Sequence, residues 1–488
     1  MREASAELFI PPLTHDPSLP QYMQLFRAFE QSILSGMLNR GAKLAATRPL
    51  AQALGMSRNT VKSAFELLQA EGYIETRRGA GSFVADISHV KRTNCTVTTQ
   101  ELGHATGTLS ALAERHSTLR MSTMSLSAKV LAPAQPALEA FPWDKWQRCV
   151  SAAGRGMKFT EPGDGAGVES LRRQLADYLH LVRGVICQPQ DVLITSGSQQ
   201  GVFLSLQLLL NPGDELLVED PCYSGIDGAI EAIGARKVAV GVDREGFSLP
   251  AQCDATLAVV TPSRNYPLGS TMSTQRRLEL LNWSRQRGAW IIEDDYDSEF
   301  RYDGPPLTAL QGMGGRDNVI YSGTFSRILH PSIRIGYLVL PPVLSQLFRT
   351  AKLRIHGDTS ALPQLALSEF MQRGYFASHV RCMRKLYKAR RRALQREMTQ
   401  LFGGQLKQID SDGGMHCVYL LPDTIDDVAL CREAVAAGLG LRPLSHYYSH
   451  AKQGLRGLVI GFAGWDEAQL CKALNTLYGI YKKFAAST

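Results

Sequence analysis

Residues 192–202 read VLITSGSQQGV, and this stretch decides the fold of the larger part of the chain. The continuous apolar run VLIT predicts a strand that is buried on both faces, as in a parallel sheet. The small residues Ser196, Gly197 and Ser198 then open an apolar helix, and backbone N–H groups at a helix start form a cradle for an anion such as phosphate. The stretch therefore predicts a strand, a phosphate-binding turn and a helix of an α/β protein.

Five further apolar runs resemble this strand and are separated by helical patterns. They are ELLVED at 215–220, LAVVTP at 257–262, WIIEDD at 290–295, NVIYSG at 318–323 and GYLVL at 336–340. Continuous apolar strands that alternate with helices predict a mostly parallel sheet covered on both faces. Ligands of such sheets lie at the carboxyl ends of the strands.

Polar residues at these strand ends suit a planar ligand that carries a phosphate. Tyr223 follows ELLVED, and its ring is suited to stacking on a flat molecule. Asp294 lies at the end of WIIEDD, and an acid in a dry pocket can keep a pyridine nitrogen protonated. Thr324 and Arg334 follow the next strand. We therefore expect one binding site at this edge of the sheet.

Residues 131–480 resemble the fold-type I aminotransferases, which use pyridoxal 5'-phosphate. The resemblance is carried, in order, by strings that include ITSGSQQGV, NPGDELLVEDPCYSG, TPSRNYPLGSTMS, IIEDDYDSEFRYDG and YSGTFSRILHPSIRIGYLVLP. It implies a large α/β body that binds the cofactor with the same set of residues. These are Gly197, Ser198, Thr324 and Arg334 at the phosphate, Tyr223 at the ring, Asp294 at the pyridine nitrogen, and Tyr296 with Asn265 or Tyr266 at the phenolic oxygen.

Three departures from the family pattern concern catalysis. The family's Schiff-base lysine follows Gly-Thr-Phe-Ser, and here that position is Arg327, while the usual His-Gln before Tyr-Pro is Arg264-Asn265. Where many aminotransferases have a carboxylate-binding arginine, this chain has VIG at 459–461. A guanidinium stays protonated, so it can neither form an imine with the cofactor aldehyde nor shuttle a proton. We expect no catalytic residue at this site, and any pyridoxal phosphate that binds there is expected to be held without a covalent bond.

The N-terminal part of the chain has the pattern of a winged helix-turn-helix. Apolar spacing predicts helices at 22–38, at 48–54 and, after the capping residue Ser57, through residue 70. Gly55 supplies the tight turn between the second and third helices. Residues 73–84 then predict a hairpin with a glycine-rich tip flanked by arginines, which is typical of a wing.

The charge distribution points to the same region of the chain. The formal net charge is only +8, but residues 31–65 contain basic side chains and no acidic one. Such a stretch is typical of a surface that contacts phosphates, or of a solvated helix face. The strings TRPLA, SRNTV, AEGYI and GAGSFV resemble the GntR family over residues 20–86, which favours the first interpretation. The residues predicted to contact DNA are Arg48, Ser57, Arg58, Asn59, Thr60, Lys62, Arg77 and Gly81.

A GntR-like head followed by an aminotransferase-like body resembles the MocR subgroup of regulators. Residues 87–130 are rich in polar residues and glycine and predict a flexible linker with one short helix near 109–115. The resemblance implies a sequence-specific transcriptional regulator that binds double-stranded DNA and forms a homodimer through its body. The body is expected to sense a small effector, either pyridoxal phosphate or an amino compound.

Two other functions remain as alternatives. One is a pyridoxal-phosphate-dependent aminotransferase that carries a DNA-binding domain, which Arg327 argues against, and the other is a body that only dimerises. No apolar run reaches about 18 residues and the N-terminus has no secretory layout, so a cytoplasmic location without membrane contact is expected. The cysteines include no C-x-x-C pair, so neither a metal site nor a disulfide framework is expected.

Overall fold

The computed structural model describes residues 9–13, 16, 19–77, 79–86, 110–118, 129–157, 163–450 and 454–486. The chain divides into two compact units, residues 1–108 and residues 109–488. The predicted linker lies outside the described residues except for 110–118 and 129–130, and so does one of the two wing arginines, Arg78. Within the described residues, no helix has both the length and the apolar character to cross a bilayer.

The N-terminal unit consists of three helices and a hairpin. Its elements are α1 (Gln21–Leu34), α2 (Thr47–Leu54), α3 (Arg58–Ala70), β1 (Ile74–Arg77) and β2 (Gly81–Val84). Both α1 and α2 pack on α3, and the strands pair antiparallel with Ile74 opposite Val84. The apolar positions that predicted the helices form the core, which includes Leu25, Phe29, Leu50, Val61 and Leu68. The predicted winged helix-turn-helix is confirmed.

The C-terminal unit is built around an eight-stranded sheet with the order β3-β10-β9-β8-β7-β4-β5-β6. The strands are β3 (Val192–Thr195), β4 (Glu215–Asp220), β5 (Arg236–Asp243), β6 (Gly246–Phe247), β7 (Leu257–Val260), β8 (Trp290–Asp295), β9 (Val319–Thr324) and β10 (Gly336–Val339). Neighbouring strands from β9 to β5 run parallel, whereas β10 is antiparallel to both β3 and β9. The loop before β10 therefore lies at the edge where the parallel strands end.

Helices and a second, smaller sheet complete this unit. The helices are α4 (Ala111–Thr118), α5 (Trp143–Gly156), α6 (Glu169–Arg183), α7 (Ser198–Leu209), α8 (Gly225–Ile233), α9 (Thr274–Arg287), α10 (Pro342–His356), α11 (Ala361–Gln372), α12 (Tyr375–Phe402), α13 (Asp427–Ala436) and α14 (Glu467–Ala486). The antiparallel sheet has the order β11-β12-β14-β13, with β11 (Lys407–Gln408), β12 (His416–Leu420), β13 (Arg442–Pro443) and β14 (Gly457–Gly461).

The large sheet is covered on both faces, as its apolar strands predicted. Along β3, Val192 and Ile194 belong to one hydrophobic cluster and Leu193 belongs to another. Strands β3, β4 and β8 have the predicted bounds, but β5 was missed. Its side chains are mostly exposed or half-buried, although its sequence RKVAVGVD contains the apolar run VAVGV at 238–242.

Candidate functional site

The recognition helix α3 begins at a capped end that faces solvent. The Oγ of Ser57 accepts a hydrogen bond from the Thr60 backbone N–H at 3.0 Å and lies 2.8 Å from Thr60 Oγ1. Val61, Ala64, Phe65 and Leu68 are buried, whereas Ser57, Arg58, Asn59 and Lys62 are exposed. Packing therefore leaves four of the five predicted DNA-contacting side chains of this helix accessible, as entry into a major groove requires, whereas Thr60 is half-buried.

The basic side chains of the head differ in whether they are already paired. Arg40 forms an ion pair with Asp86 at 2.5 Å, and Lys62 forms one with Glu66 at 3.4 Å. Arg48 and Arg58 are exposed and make no hydrogen bond or ion pair with any residue that the structure describes. These two guanidinium groups are therefore available as donors for phosphates or base edges.

The tip of the wing combines glycine geometry with positive charge. Gly81 has φ +106°, a conformation that side chains with a Cβ disfavour. The guanidinium of Arg77 lies 4.7 Å from the ring centroid of Phe83, and the Lys43 ammonium lies 6.0 Å from the same centroid. The wing thus presents an exposed glycine backbone beside two cations, a combination suited to phosphate contact.

In the body, the predicted phosphate site is assembled at one corner of the large sheet. Thr195, Gly336 and Thr324 lie in one row across β3, β10 and β9. A Cβ built on Gly336 would lie 2.5 Å from the carbonyl carbon of Gly197 and 2.6 Å from the nitrogen of Ser198. The start of α7 therefore sits directly on β10, which only glycine at position 336 permits.

Arg334 completes this corner. Its backbone has φ +52°, in the left-handed region, and its side chain is exposed. Its Cζ lies 4.0 Å from a Cβ built on Gly197, so the guanidinium is next to the N-terminus of α7. Helix N–H groups and a guanidinium are donors that bind phosphate well. We call Gly197, Ser198, Thr324 and Arg334 the phosphate cup.

Asp294 lies near the carboxyl end of β8, beside Ser322 of β9, whose Oγ donates to its Oδ1 at 3.3 Å. Burial, reinforced by the neighbouring Asp295, raises the pKa of Asp294 to about 6, while Ser322 and Arg327 act in the opposite direction. Asp295 is itself paired with Arg183 at 2.9 Å, whereas Asp294 has no ion pair among the described residues. A desolvated carboxyl in this situation suits the N–H of a pyridinium ring.

An aromatic cluster surrounds Tyr266. The rings of Tyr223, Tyr296, His416 and Tyr447 meet it edge to face, with centroid distances of 6.1, 5.7, 5.1 and 5.3 Å. The Oη of Tyr266 is 3.2 Å from that of Tyr447. The buried Oη of Tyr296 has no hydrogen-bond partner within the described part of the chain. Because an unpaired buried hydroxyl is costly, this atom suits contact with a ligand oxygen.

Asn265, predicted at the phenolic oxygen, is hydrogen-bonded to the protein itself. Its Nδ2 donates to Glu219 Oε2 at 2.9 Å and to the Pro221 carbonyl oxygen at 3.2 Å, and its Oδ1 accepts from the Leu268 N–H at 3.3 Å. These bonds engage both ends of the amide and hold the turn. Of the two predicted alternatives, it is Tyr266 that lies against the other predicted aromatic residues.

Arg264 contacts the site residues Tyr296 and His416 and is itself held by Asp297. Its Nε and Nη2 bind both carboxylate oxygens of Asp297 at 2.6 to 3.1 Å, and its guanidinium lies 5.5 Å from the ring centroid of Tyr296. Its Nη2 is 3.3 Å from Nδ1 of His416, whose Nε2 is 2.8 Å from the Pro267 carbonyl oxygen. Burial and the Arg264 charge hold the pKa of His416 well below its usual range, so this imidazole is neutral.

Arg327 occupies the sequence position at which the family has its lysine. It is half-buried, and its Nη1 donates to the carbonyl oxygen of Ala134, a residue with φ +60°. Its charge opposes the rise in the pKa values of Asp294 and Tyr266, so it lies near enough to act on both groups. None of the contacts described for Asp294, Tyr266 or Tyr296 is with a lysine.

Most of the residues at this site fit pyridoxal phosphate, but Arg327 does not fit its usual covalent attachment. The phosphate cup, the carboxyl of Asp294 and the unpaired Tyr296 hydroxyl match the phosphate, the ring nitrogen and the phenolic oxygen. The exposed ring of Tyr223 is available for stacking. Arg327 has no nucleophilic amine, so it cannot itself form an imine with the cofactor. The residues fit a cofactor that is held without an imine bond.

Comparisons with known proteins agree with both units. The chain matches the family of bacterial regulatory proteins of the gntR type over residues 21–84 and aminotransferase class I and II over residues 131–477. A probable rhizopine catabolism regulatory protein, MocR, of Rhizobium meliloti is 33% identical over 97% of this chain and 96% of its own length. The HTH-type pyridoxine biosynthesis transcriptional regulator PdxR of Corynebacterium glutamicum is 30% identical over 93% of this chain and 94% of its own.

Solved structures resemble the body. The α-aminoadipate aminotransferase LysN of Thermus thermophilus has a TM-score of 0.70 and 25% identity over 78% of this chain and 98% of its own. The kynurenine aminotransferase of Pyrococcus horikoshii has a TM-score of 0.68 and 27% identity over 78% of this chain and 95% of its own.

A winged helix-turn-helix in one chain with a fold-type I aminotransferase body defines a class of composite bacterial regulators. The relatives named above match nearly the whole length of the chain, so the similarity includes both units. The chain belongs to the MocR subgroup of the GntR family.

Proposed function

We propose that the chain is a sequence-specific DNA-binding transcriptional regulator whose body binds a small phosphorylated effector and does not catalyse transamination. The observation that carries this proposal is Arg327, which replaces the reactive amine in a site where the phosphate cup and Asp294 persist. Bound pyridoxal phosphate would supply an electron sink to an enzyme. Without an amine, no residue of the described site anchors that cofactor covalently or moves a proton at the substrate carbon.

DNA binding is supported by the exposed face of α3. Arg48 and Arg58 offer guanidinium groups that have no protein partner among the described residues, and Ser57 fixes the helix end that carries Arg58. Side chains in the first turns of a recognition helix contact base edges in the major groove. The wing, with Arg77 and Gly81, is placed beside the adjacent phosphates in this proposal.

We further propose a homodimer through the body. Fold-type I active sites are usually built at a subunit interface, so an effector site of this kind and a dimer belong together. Two copies would present two winged heads to two half-sites of a DNA repeat. Effector binding could then change DNA affinity only if the effector prefers one arrangement of the dimer.

The test uses the full-length chain. Duplexes selected from a random library should bind tightly in fluorescence anisotropy, and pyridoxal 5'-phosphate should shift that affinity without appearance of pyridoxamine phosphate when amino acids are added. Arg27, an exposed residue of α1, gives a matched control for Arg58: Arg27→Ala should bind as the wild type does. Failure to enrich any duplex would contradict DNA binding, and turnover of an amino acid would contradict the non-catalytic body.

A further inference from the structure

We infer that Arg327 is a specificity residue that selects the effector by the charge next to it: the site prefers a phosphorylated pyridine with a carboxylate or carbonyl at ring position 4 and disfavours one with an ammonium group there. This inference rests on the proposed effector-binding function and specifies its ligand. It goes beyond the loss of the lysine, because it assigns a binding role to the residue that replaced it.

The first step is the set of donors that Arg327 presents. A guanidinium carries five N–H donors and no acceptor, and it stays charged. One donor, on Nη1, is used by the Ala134 carbonyl oxygen, and no other described residue takes a hydrogen bond from this side chain. The residue is half-buried, so its charge is only partly screened by water. The remaining donors are available to an acceptor in the site.

The second step is the position of Arg327 along the chain. Strand β9 carries Ser322, which hydrogen-bonds Asp294, and Thr324, which belongs to the phosphate cup. Arg327 follows Thr324 after two residues, and its charge acts on both Asp294 and Tyr266. A pyridine with its phosphate in the cup and its nitrogen at Asp294 has ring position 4 on the side away from that nitrogen. We assign Arg327 to that side.

The third step is the charge of the other groups around the ring. Burial raises the pKa of Tyr266 and raises that of Tyr296 well above its usual value, so both phenols are neutral. His416 is neutral, and Asp297 is neutralised by Arg264 at 2.6 Å. Glu219, whose pKa burial raises to about 7, is bound by Thr261 and Asn265, so we assign the charge at position 4 to Arg327. A carboxylate there gains a charge-assisted hydrogen bond, whereas an ammonium group meets like charge.

The test measures the binding of four probes to the full-length protein by isothermal titration. The probes share the ring and the phosphate and differ at position 4: 4-pyridoxic acid 5'-phosphate, pyridoxal 5'-phosphate, pyridoxine 5'-phosphate and pyridoxamine 5'-phosphate. We expect the wild type to bind the carboxylate at least about 10-fold more tightly than the amine, with the aldehyde and the alcohol between them.

Variants assign the preference to one side chain. Arg327→Gln removes the charge and should bring the carboxylate-to-amine ratio close to one. Arg327→Lys keeps the charge and should retain the preference between these two probes, neither of which forms an imine with lysine. Arg244→Gln, at an exposed position in the turn between β5 and β6, is the matched control and should leave the ratio unchanged.

The outcomes separate this inference from the proposed function. Equal affinities in the wild type, or a preference that survives in Arg327→Gln, would overturn the specificity role while leaving effector binding intact. Absence of binding by all four probes would overturn both the specificity role and the effector-binding body. DNA binding is measured separately by anisotropy and would stand or fall by itself.

Discussion

The guanidinium at position 327 gives a direct chemical prediction. Wild-type protein treated with pyridoxal phosphate and borohydride should show no reduced pyridoxyl adduct at the site, because arginine forms no imine. Arg327→Lys should form one, since the phosphate cup and Asp294 persist. Mass spectrometry of the digested protein locates the adduct, with Arg327→Gln as the unreactive control. An adduct on a site lysine in the wild type would contradict the non-catalytic assignment.

Asp294 predicts a pH dependence of folding stability. Its pKa is about 6 in the folded protein against 3.8 for an ordinary aspartate, so the unfolded chain loses this proton first. The free energy of unfolding therefore falls as the pH rises from about 4 to 6. Above that range Asp294 is ionised in both states, and the free energy of unfolding falls no further on its account. Asp294→Asn cannot ionise and should stabilise the ligand-free protein at pH 8 by on the order of 2 kcal/mol, with little effect at pH 4.

The control for this measurement is Asp303, whose pKa is lowered by its hydrogen bond to Lys388. A lowered pKa contributes stability above the unfolded value and loses it as the pH falls. Asp303→Asn should therefore be neutral or slightly destabilising at pH 8. Urea unfolding at pH 4 and pH 8 measures the free energy of unfolding of both variants. If Asp294→Asn were no more stable than the wild type at pH 8, the carboxyl of Asp294 would not have a raised pKa.

Arg58 gives the residue-level prediction for the head. If its guanidinium reads a base, Arg58→Ala should lose about 1–3 kcal/mol on the selected duplex and should flatten the preference for that sequence. If it contacts only phosphate, affinity should fall equally on all duplexes. Anisotropy on selected and scrambled duplexes distinguishes these, and unchanged binding to both would remove Arg58 from the interface.

The location of a site residue could be predicted from the sequence where the residue lies at or directly after the end of a recognisable strand. Gly197, Ser198 and Asp294 lie at strand ends, and the edge of a parallel sheet gathers such residues. Asn265 and Tyr266 are adjacent in sequence, and the sequence did not show which of the two side chains faces the site. In the structure the Asn265 side chain is bound to Glu219. The ion pair of Lys62 with Glu66 was not predicted, because the basic stretch considered in the sequence ends at residue 65 and Glu66 is the next residue.

At the scale of elements, the contact between β10 and the start of α7 constrains the geometry of the phosphate cup. Gly336→Ala places a Cβ within 2.6 Å of the Gly197–Ser198 peptide, so either strand or helix must shift. We expect a loss of about 1–3 kcal/mol in unfolding free energy, with weaker binding of pyridoxal phosphate because the cup is displaced. Urea unfolding and ligand titration measure the two effects.

Gly228, inside helix α8, is the matched control for Gly336. A Cβ there meets no atom within 4 Å, so Gly228→Ala should stabilise the protein by about 0.5–1 kcal/mol and leave ligand binding unchanged. If both alanine variants behaved alike, the close approach of α7 to β10 would not be a constraint on the site.

The sequence predicted the elements that follow a simple pattern and missed those that do not. Continuous apolar runs identified six strands of the large sheet, but such a run carries no information on direction, so the antiparallel orientation of β10 emerged only in three dimensions. Strand β5 was missed although VAVGV at 238–242 is an apolar run, and its mostly exposed or half-buried position is evident only in the folded sheet. Both cases reflect tertiary context, which local patterns do not contain.

At the scale of the whole molecule, we predict a homodimer at micromolar concentration. Light scattering coupled to size exclusion should give twice the chain mass of 53.6 kDa. The two half-sites of the selected DNA should then be centred about 34–36 Å apart, or a multiple of that distance, so that both heads meet the same face of the duplex. A monomeric mass, or a single half-site in every selected duplex, would contradict this.

The edge strands of the eight-stranded sheet affect how copies of the chain can associate. At one margin, β3 has four residues, all buried, and at the other β6 has two. An exposed, extended edge strand offers unpaired backbone groups to which another molecule can add a strand, and short margins offer little such backbone. Continuous fibrils that grow by strand addition thus lack a template on this sheet. Contacts between copies at these two edges would therefore depend on side chains more than on backbone pairing.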